Sequence, residues 1–415
     1  MASKIVLYNP HNELWFGVVF KFWLYRRPWV PKYRYITTNL AKENGRIYAL
    51  SRIDSSASFY LKFLDSVSFI LWLAINDLPI LRSRLYFSTS SLSHHDLLLI
   101  IYIGNFTSFA GPVESSRLVA RLNSTTCIKI LNVNHFPYNI SSGARALQSL
   151  SFNAFWAEVD LFTCSPYFSS FFSDHSSKPF IVVPFAVRSK FTFLGTISSM
   201  RLNTIFATGS ISLDMSNDHD FVGFFKNSSL QPMRCVIYQQ SENCQIHPLF
   251  HNIINKIDSR GSTRPVLTAN NPIYAVANWI HNVFVYGQRA YHSIDLHAKF
   301  NLYRFHLVGE EIVGIPGISF AEGMLCGSIL IGLDHPMYRS IGMIPWEHFI
   351  PYYESDTPDT IASRVLEISS DRRLINKIQS SSLSFAMSRF TEDAAWAQFS
   401  SLINDLASSP RYPCH

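Results

Sequence analysis

The chain has 415 residues, which is long enough for two ordinary α/β domains. Hydrophobic residues make up 47% and charged residues 15%, and this composition excludes a disordered chain. No run reaches the roughly 18 uncharged apolar residues of a membrane-spanning helix, because the best candidate, Val67–Ile75, is closed by Asp65 and Asp77. The net charge of +6 is concentrated in residues 1–50, where eight Lys or Arg face two Glu.

The first half of the sequence alternates short apolar runs with helical patterns. Apolar runs bounded by polar turns predict strands at Lys4–Tyr8, Arg46–Leu50, Leu97–Ile103, Ile128–Val133, Leu161–Thr163 and Pro179–Val183. Periodic patterns predict helices at Ser56–Asn76 and Ser142–Glu158. This alternation indicates a parallel sheet with helices on its faces, and we place the end of this half near residue 187.

The second half repeats the pattern. Strands are predicted at Asn203–Thr208, Arg234–Tyr238, Arg304–Val308 and Ser328–Leu333. Helices are predicted at Ile273–Val283, Gln288–Lys299, Ile318–Cys326 and Pro358–Ile368, and a last helical pattern covers Ala386–Leu406. The predicted boundaries are therefore 1–187, 188–385 and 386–415.

Residues 20–36 interleave aromatic and cationic side chains. This mixture suits the headgroup region of an anionic bilayer, whereas an ordinary helix or loop would bury the aromatics and keep Lys and Arg hydrated. Both interpretations stay open. Aromatics beside cations also suit nucleic acid, but no RNA- or DNA-binding motif is present, so we expect no such partner. The N-terminus lacks the pattern of a secretory signal, and we expect a cytoplasmic protein, which the first interpretation would place at the inner face of a membrane.

Residues 309–327 form a Gly- and Pro-rich loop that leads into a short apolar helix carrying one carboxylate, Glu322. Such a loop lets backbone amides approach a diphosphate, and a carboxylate a little over one turn inside the helix can accept hydrogen bonds from ribose hydroxyls. On the predicted helix Glu322 shares an apolar stripe with Ile318 and Leu325, so it needs polar partners. Those partners are either a nucleotide or, in a structural role, the backbone or a cation.

The stretch Gly314–Gly327 resembles the Glu-x7-Glu region of GT-B glycosyltransferases, in which a Glu-Gly-Phe-Gly loop precedes a Glu-Ala-Met-Ala-Cys-Gly helix. The residues on this pattern are Gly317, Glu322, Met324, Cys326 and Gly327. Gly314 occupies the position of the first Glu. Glu310 and Glu311 lie just upstream, and we assign the displaced carboxylate to Glu311. The likeness extends weakly over residues 290–400.

The resemblance implies an α/β fold of two Rossmann-like domains that face each other across a cleft. Residues 1–187 would bind the acceptor, residues 188–385 would bind a nucleotide-diphosphate sugar, and the helix of 386–415 would pack back on the first domain. The implied activity is transfer of a sugar to a glycan or lipid-linked acceptor in surface polysaccharide or glycoconjugate synthesis, without a prosthetic group. Transfer would retain the anomeric configuration if it follows these relatives.

Residues that follow strands in an open parallel sheet are favoured as ligand contacts. His135 follows the predicted strand Ile128–Val133 and resembles the cleft histidine that such transferases place beside the transferred sugar; the alternative is a structural loop histidine. Gly209 occupies the first turn of the second half, where relatives carry an Arg and a Lys that residues 210–216 lack.

Another cation must then neutralise the diphosphate, and the candidates are Arg234, Arg264 and Arg201. Arg234 is the first choice because it opens a predicted strand. Asp218 and Asp220 form an Asp-x-Asp triplet that could hold a divalent cation, but its place within a loop favours turn chemistry. We expect no metal site.

Two rival functions remain open on the same fold. One is a binding or scaffold protein that no longer transfers sugar, which the missing Arg/Lys pair and Gly314 favour. The other is a nucleotide-sugar epimerase. Hydrolase, P-loop and simple dinucleotide-binding motifs are absent from the sequence.

Overall fold

A computed structural model describes residues 4–8, 33–51, 53–100, 119–134, 148–183, 185–196, 198–211, 215–256 and 294–408. The chain divides into two compact units. Unit 1 comprises Met1–Asp160, Phe168–Val183 and Ala395–His415, and unit 2 comprises Leu161–Tyr167 and Pro184–Ala394. The chain therefore passes from one unit to the other more than once.

A parallel sheet forms the centre of unit 1. Its strands are β1 (Ile5–Tyr8), β2 (Tyr48–Leu50), β3 (Arg84–Tyr86), β4 (Leu97–Ile100), β5 (Ile128–Asn132), β6 (Ala154–Ala157) and β7 (Phe180–Val182). They lie in the order β3-β2-β1-β4-β5-β6-β7, and neighbouring strands are parallel. All four residues of β4 are buried, as expected for a parallel sheet that is covered on both faces.

Unit 2 contains a second parallel sheet and a short two-stranded one. The strands are β8 (Leu202–Ala207), β9 (Ser210–Ile211), β10 (Phe250–Asn252), β11 (Asn255–Lys256), β12 (Tyr303–Leu307), β13 (Ile329–Leu333) and β14 (Ile350–Tyr352). The larger sheet has the order β10-β8-β12-β13-β14, and β11 pairs with β9. All of these pairings are parallel.

Helices connect and cover the strands. In chain order they are α1 (Arg34–Asn44), α2 (Phe59–Ile75), α3 (Leu161–Cys164), α4 (Pro166–Phe172), α5 (His219–Phe225), α6 (Pro232–Glu242), α7 (Leu296–Leu302), α8 (Ser319–Leu325), α9 (Pro336–Ser340), α10 (Pro358–Ser369), α11 (Arg372–Phe390) and α12 (Glu392–Ser408). Within unit 1, Phe399 of α12 packs its ring against Tyr35 and Trp156. Helix α12 thus contributes to the core of unit 1.

Three predicted elements have the wrong type. Leu161–Thr163 is helical rather than extended, and Arg234–Tyr238 lies inside α6. The predicted helix Ser142–Glu158 includes strand β6, although residues 142–147 lie outside the described residues. Short apolar runs have no period that separates a buried strand from a buried helix. Pro232 in the first turn of α6 was the missed helix signal.

Other elements were not predicted at all. Strands β3, β10 and β14 each have only three residues, which is too short for a clear pattern. Helix α5 begins inside a segment interpreted as loop, with Asp218 as its N-cap. The predicted helix Ile273–Val283 and the first half of Gln288–Lys299, residues 288–293, lie outside the described residues. In the described part of the chain no helix is long and apolar enough to cross a membrane.

Candidate functional site

The carboxyl ends of β8 and β12 meet at the side chain of Arg234, which projects from α6 and is buried. Its Nε donates to the carbonyl oxygens of Val308 at 2.7 Å and Gly309 at 2.8 Å. Its Nη1 donates to the carbonyl oxygen of Ser210 at 2.9 Å. One guanidinium therefore joins the loops that follow two neighbouring strands of the second sheet.

Three glycines leave the space that this guanidinium occupies. A Cβ on Gly209 would lie 2.9 Å from Arg234 Nε, one on Gly309 2.8 Å from Cγ, and one on Gly317 2.9 Å from Nη2. Gly209 and Gly309 also have positive φ angles, 138° and 62°, which disfavour other residues. The predicted residues Gly209, Gly317 and Arg234 thus lie together, although Arg234 belongs to a helix and not to the predicted strand.

Hydrogen-bonding capacity remains unused at this edge of the sheet. Nη2 of Arg234, beside Gly317, donates no hydrogen bond to any described residue. The hydroxyl of Thr208, which directly follows β8, is buried and also has no partner among the described residues. A guanidinium nitrogen with two free hydrogens suits a phosphate oxygen.

Glu322 lies on α8, whose residues are all buried. Its Oε2 accepts a hydrogen bond of 3.0 Å from the hydroxyl of Ser319, one turn earlier. The carboxylate thus has the polar partner that its place on an apolar helix requires. Gly317 precedes this helix by two residues, so Glu322 and the Arg234 cluster belong to one continuous loop and helix.

Glu310 has a structural role. Its Oε1 accepts from the Tyr338 hydroxyl at 2.6 Å and from the Leu333 amide at 3.1 Å, and its Oε2 accepts from the Tyr352 hydroxyl. Burial, together with the charge of Glu310, raises the pKa of both tyrosines well above the usual value. The carboxylate therefore joins the loop after β12 to β13 and β14.

Glu311 is the carboxylate that we assigned to the missing first position of the motif. Its Oε1 accepts a 3.3 Å hydrogen bond from Nε2 of Gln231. Its backbone amide donates a hydrogen bond of 3.1 Å to the carbonyl oxygen of Ile315, which closes a tight turn. Glu311 thus lies at the base of the loop that leads to Gly317.

The backbone conformation and the close packing at Gly314 explain why this position of the motif carries no carboxylate. Its φ angle is 83°, and a Cβ there would lie 2.5 Å from the carbonyl oxygen of Cys164. The turn is closed by a hydrogen bond of 2.9 Å from the Gly314 amide to the Glu311 carbonyl. No side chain fits at this position in the present conformation of the loop.

Arg201, a candidate for the diphosphate, lies at the opposite edge of the sheet. It is buried just before β8, and its Nε, Nη1 and Nη2 donate to the carbonyls of Thr196, Phe300 and Cys326 at 3.0, 2.7 and 2.6 Å. Each of its three nitrogens thus donates to the backbone, which indicates a structural role. Arg264 and His135 lie outside the described residues.

The Asp-x-Asp triplet also has a structural explanation. Oδ1 of Asp218 accepts from the Phe221 amide at 3.0 Å and caps α5, and Asp220 lies in the first turn of that helix. Among the described residues, no group of three or more His, Cys, Asp or Glu side chains is arranged to hold a metal ion.

His306 is completely buried on β12. Its Nε2 lies 3.1 Å from the Phe320 carbonyl, and burial lowers its pKa to about 3. Gly323 of α8 packs directly on this ring, since a Cβ there would lie 2.4 Å from Nε2. A neutral histidine therefore sets the distance between α8 and the sheet.

No protein-family model and no curated protein matches the sequence. Solved structures do match. The chain is similar to HepE from Anabaena in crystal structures with UDP, with UDP and glucose, and with UDP-glucose, at 11%, 11% and 12% identity and a TM-score of 0.50 in each case. Each comparison covers 97% of this chain and 99% or more of HepE. Together with the two parallel sheets, this likeness confirms the α/β fold expected of a GT-B glycosyltransferase.

Proposed function

We propose that the protein is a glycosyltransferase that binds a nucleotide-diphosphate sugar at the carboxyl edge of the second sheet. The observation that carries the proposal is Arg234, which is fixed by three backbone carbonyls and keeps Nη2 available beside Gly317. In open α/β sheets, ligands bind beyond the carboxyl ends of the strands. HepE, which shares the fold, was crystallised with UDP and with UDP-glucose.

In the proposed complex Arg234 donates from Nη2 to the diphosphate, and the backbone amides at Gly209 and Gly317 approach the same group. Glu322 accepts hydrogen bonds from the ribose hydroxyls. Charge builds on the diphosphate as the glycosidic bond breaks, and a preorganised cation there stabilises the transition state by roughly several kcal/mol. Arg234 thereby replaces the Arg/Lys pair that residues 210–216 lack.

His135 and Glu311 are the proposed groups at the transferred sugar, with residues 1–187 binding the acceptor and 188–385 the donor. His135→Ala should lower turnover roughly 10²-fold and leave nucleotide affinity unchanged, because the nucleotide lies on the other domain. Turnover at the parent rate would assign His135 to structure. Joint loss of turnover and nucleotide affinity would contradict this division of roles.

The acceptor that we propose is a glycan or a lipid-linked sugar at the inner face of a membrane, as in surface polysaccharide assembly. The support is the mixture of aromatics and cations in residues 20–36. Replacing Arg26, Arg27, Lys32 and Arg34 with Gln should reduce sedimentation with acidic vesicles, with a loss of about 1 kcal/mol of binding free energy per cation. The binding that is lost should be the part that depends on salt. Binding that is insensitive to salt would contradict this contact.

The direct test is a panel of nucleotide sugars, assayed for thermal stabilisation and for slow hydrolysis, with UDP-sugars first. A donor present at about 100 times its Kd stabilises the folded state by about 2.7 kcal/mol. Stabilisation with turnover supports the transferase, and an isomerised free nucleotide sugar would indicate an epimerase. Stabilisation without turnover would favour the binding or scaffold protein, for which Gly314 and the missing Arg/Lys pair are the supporting observations.

A further inference from the structure

Helix α2 is unusual because its outward face is apolar as well as its inward face. The inward face carries Phe69, Trp72 and Leu73, which are buried, but also Asp65, which is buried and accepts a hydrogen bond from the Ser51 hydroxyl. In the sequence Asp65 interrupts the longest apolar run. In the structure it points away from solvent, so it does not interrupt the outer face.

The outer face forms a continuous apolar stripe. At 100° per residue its members cover about a third of the helix circumference, and they are Phe59, Tyr60, Phe63, Val67, Ile70, Leu71 and Ala74. The large side chains among them, Val67 apart, are 45% to 84% exposed. No charged residue falls within this arc. Contiguous exposed apolar surface of this kind is characteristic of a binding surface.

Three arginines lie at the edge of the sheet where α2 ends. Helix α2 connects the parallel strands β2 and β3, so it ends at the edge of the sheet where both strands begin. Arg46 precedes β2, Arg82 precedes β3, and Arg84 opens β3; all three are exposed. Among the described residues none of them forms an ion pair. Leu81, between the helix and these arginines, is 99% exposed.

We infer that the stripe of α2, Leu81 and the three arginines dock unit 1 on the anionic surface of a lipid bilayer, with α2 lying in the plane of the interface. An apolar helical face bordered by cations is the chemistry that such a surface recognises. The stripe offers only the Tyr60 hydroxyl for hydrogen bonding, whereas protein interfaces contain many polar groups. A second copy packed on the same patch would bring its own unpaired arginines with it.

This inference is independent of the transfer reaction. It also names a surface different from residues 20–36, so the two membrane contacts can be tested with separate variants. If the docking surface is wrong, nucleotide binding at the second sheet is unaffected. If the proposed donor site is wrong, vesicle binding through α2 is unaffected.

The test is sedimentation of the full chain with phosphatidylcholine vesicles, with and without phosphatidylglycerol. A triple variant of the stripe, Phe63→Gln/Ile70→Gln/Leu71→Gln, should bind the anionic vesicles at least about tenfold more weakly. Its three polar side chains would not enter the apolar layer of the bilayer. The matched control is Leu366→Gln/Met387→Gln, two side chains in unit 2 that are 48% and 56% exposed, which should bind as the parent does.

Arg46→Gln/Arg82→Gln/Arg84→Gln should lower the preference for the anionic vesicles, by about fivefold per arginine, and reduce the salt dependence of binding. All the side chains changed on α2 are exposed, and circular dichroism would verify that each variant is folded. The inference is overturned if the parent does not bind the anionic vesicles, or if the α2 variant binds like the parent. It is also overturned if analytical ultracentrifugation shows a dimer that the α2 variant dissociates, because the stripe is then covered by a second copy.

Discussion

The two edges of the second sheet each contain a buried arginine, and the two arginines differ in what they leave available. At the amino edge, all three nitrogens of Arg201 donate to backbone carbonyls. At the carboxyl edge, Arg234 uses Nε and Nη1 in the same way but not Nη2. The comparison shows that burial and backbone bonds alone do not identify a binding arginine. The unused donor, at the edge where open sheets bind ligands, is the observation that favours Arg234 as the proposed binding residue.

The largest predicted effect concerns His306, which packs beneath α8, and not the carboxyl edge of the sheet. His306 has a pKa of about 3 when folded and about 6.5 when unfolded, so the unfolded chain binds more protons between these values. The contribution of this group to the unfolding free energy is therefore fully present above pH 6.5. It decreases by roughly 5 kcal/mol as the pH falls toward 3. Urea unfolding across this pH range measures it.

The control is His306→Gln, which keeps a donor for the Phe320 carbonyl and does not titrate. Its unfolding free energy should depend less steeply on pH than that of the parent. Equal slopes in the two proteins would mean that His306 is not the group responsible.

Arg201→Met tests the amino-edge arginine directly. The variant leaves the carbonyls of Thr196, Phe300 and Cys326, of which the last two belong to buried residues, without this donor, and the unfolding free energy should fall by about 3–5 kcal/mol. In the fraction that remains folded, nucleotide affinity should match the parent. A loss below about 1 kcal/mol in urea unfolding would contradict the structural role.

The strands of both sheets could be predicted because parallel strands buried on both faces form short apolar runs, of which Leu97–Ile100 is an example. The type of α6 could not be predicted from Met233–Tyr238, whose composition suits a strand equally well. Gly209 and Gly317 were predicted as phosphate contacts from their positions in turns. That the same glycines make room for Arg234 depends on contacts between residues 25 and more positions apart, which no local pattern contains.

The surface of α2 illustrates a different limit. Composition identified the apolar run and the carboxylate of Asp65 that interrupts it. Only the structure shows that Asp65 faces Ser51 in the interior. A pattern of charges along a sequence therefore does not indicate which face of a helix is exposed when a buried polar partner is available.

Glu322→Gln tests a smaller effect at the binding edge. The carboxylate is proposed to accept hydrogen bonds from ribose, and a neutral amide accepts them less strongly, so nucleotide affinity should fall by about 1–3 kcal/mol in a folded protein. Calorimetry measures this change. Unchanged affinity would remove Glu322 from the nucleotide site and assign it a structural role, to which its bond with Ser319 contributes.

The most direct test of the central claim is calorimetry of UDP, or of the nucleotide that the panel selects, with the parent, Arg234→Lys and Arg201→Lys. The lysine at position 234 keeps the charge but loses the forked geometry. We predict that Arg234→Lys weakens binding by about 10- to 100-fold, while folded Arg201→Lys binds as the parent does. Equal affinity of the parent and folded Arg234→Lys, or no binding of any nucleotide by the parent, would contradict the assignment of the carboxyl edge as the donor site.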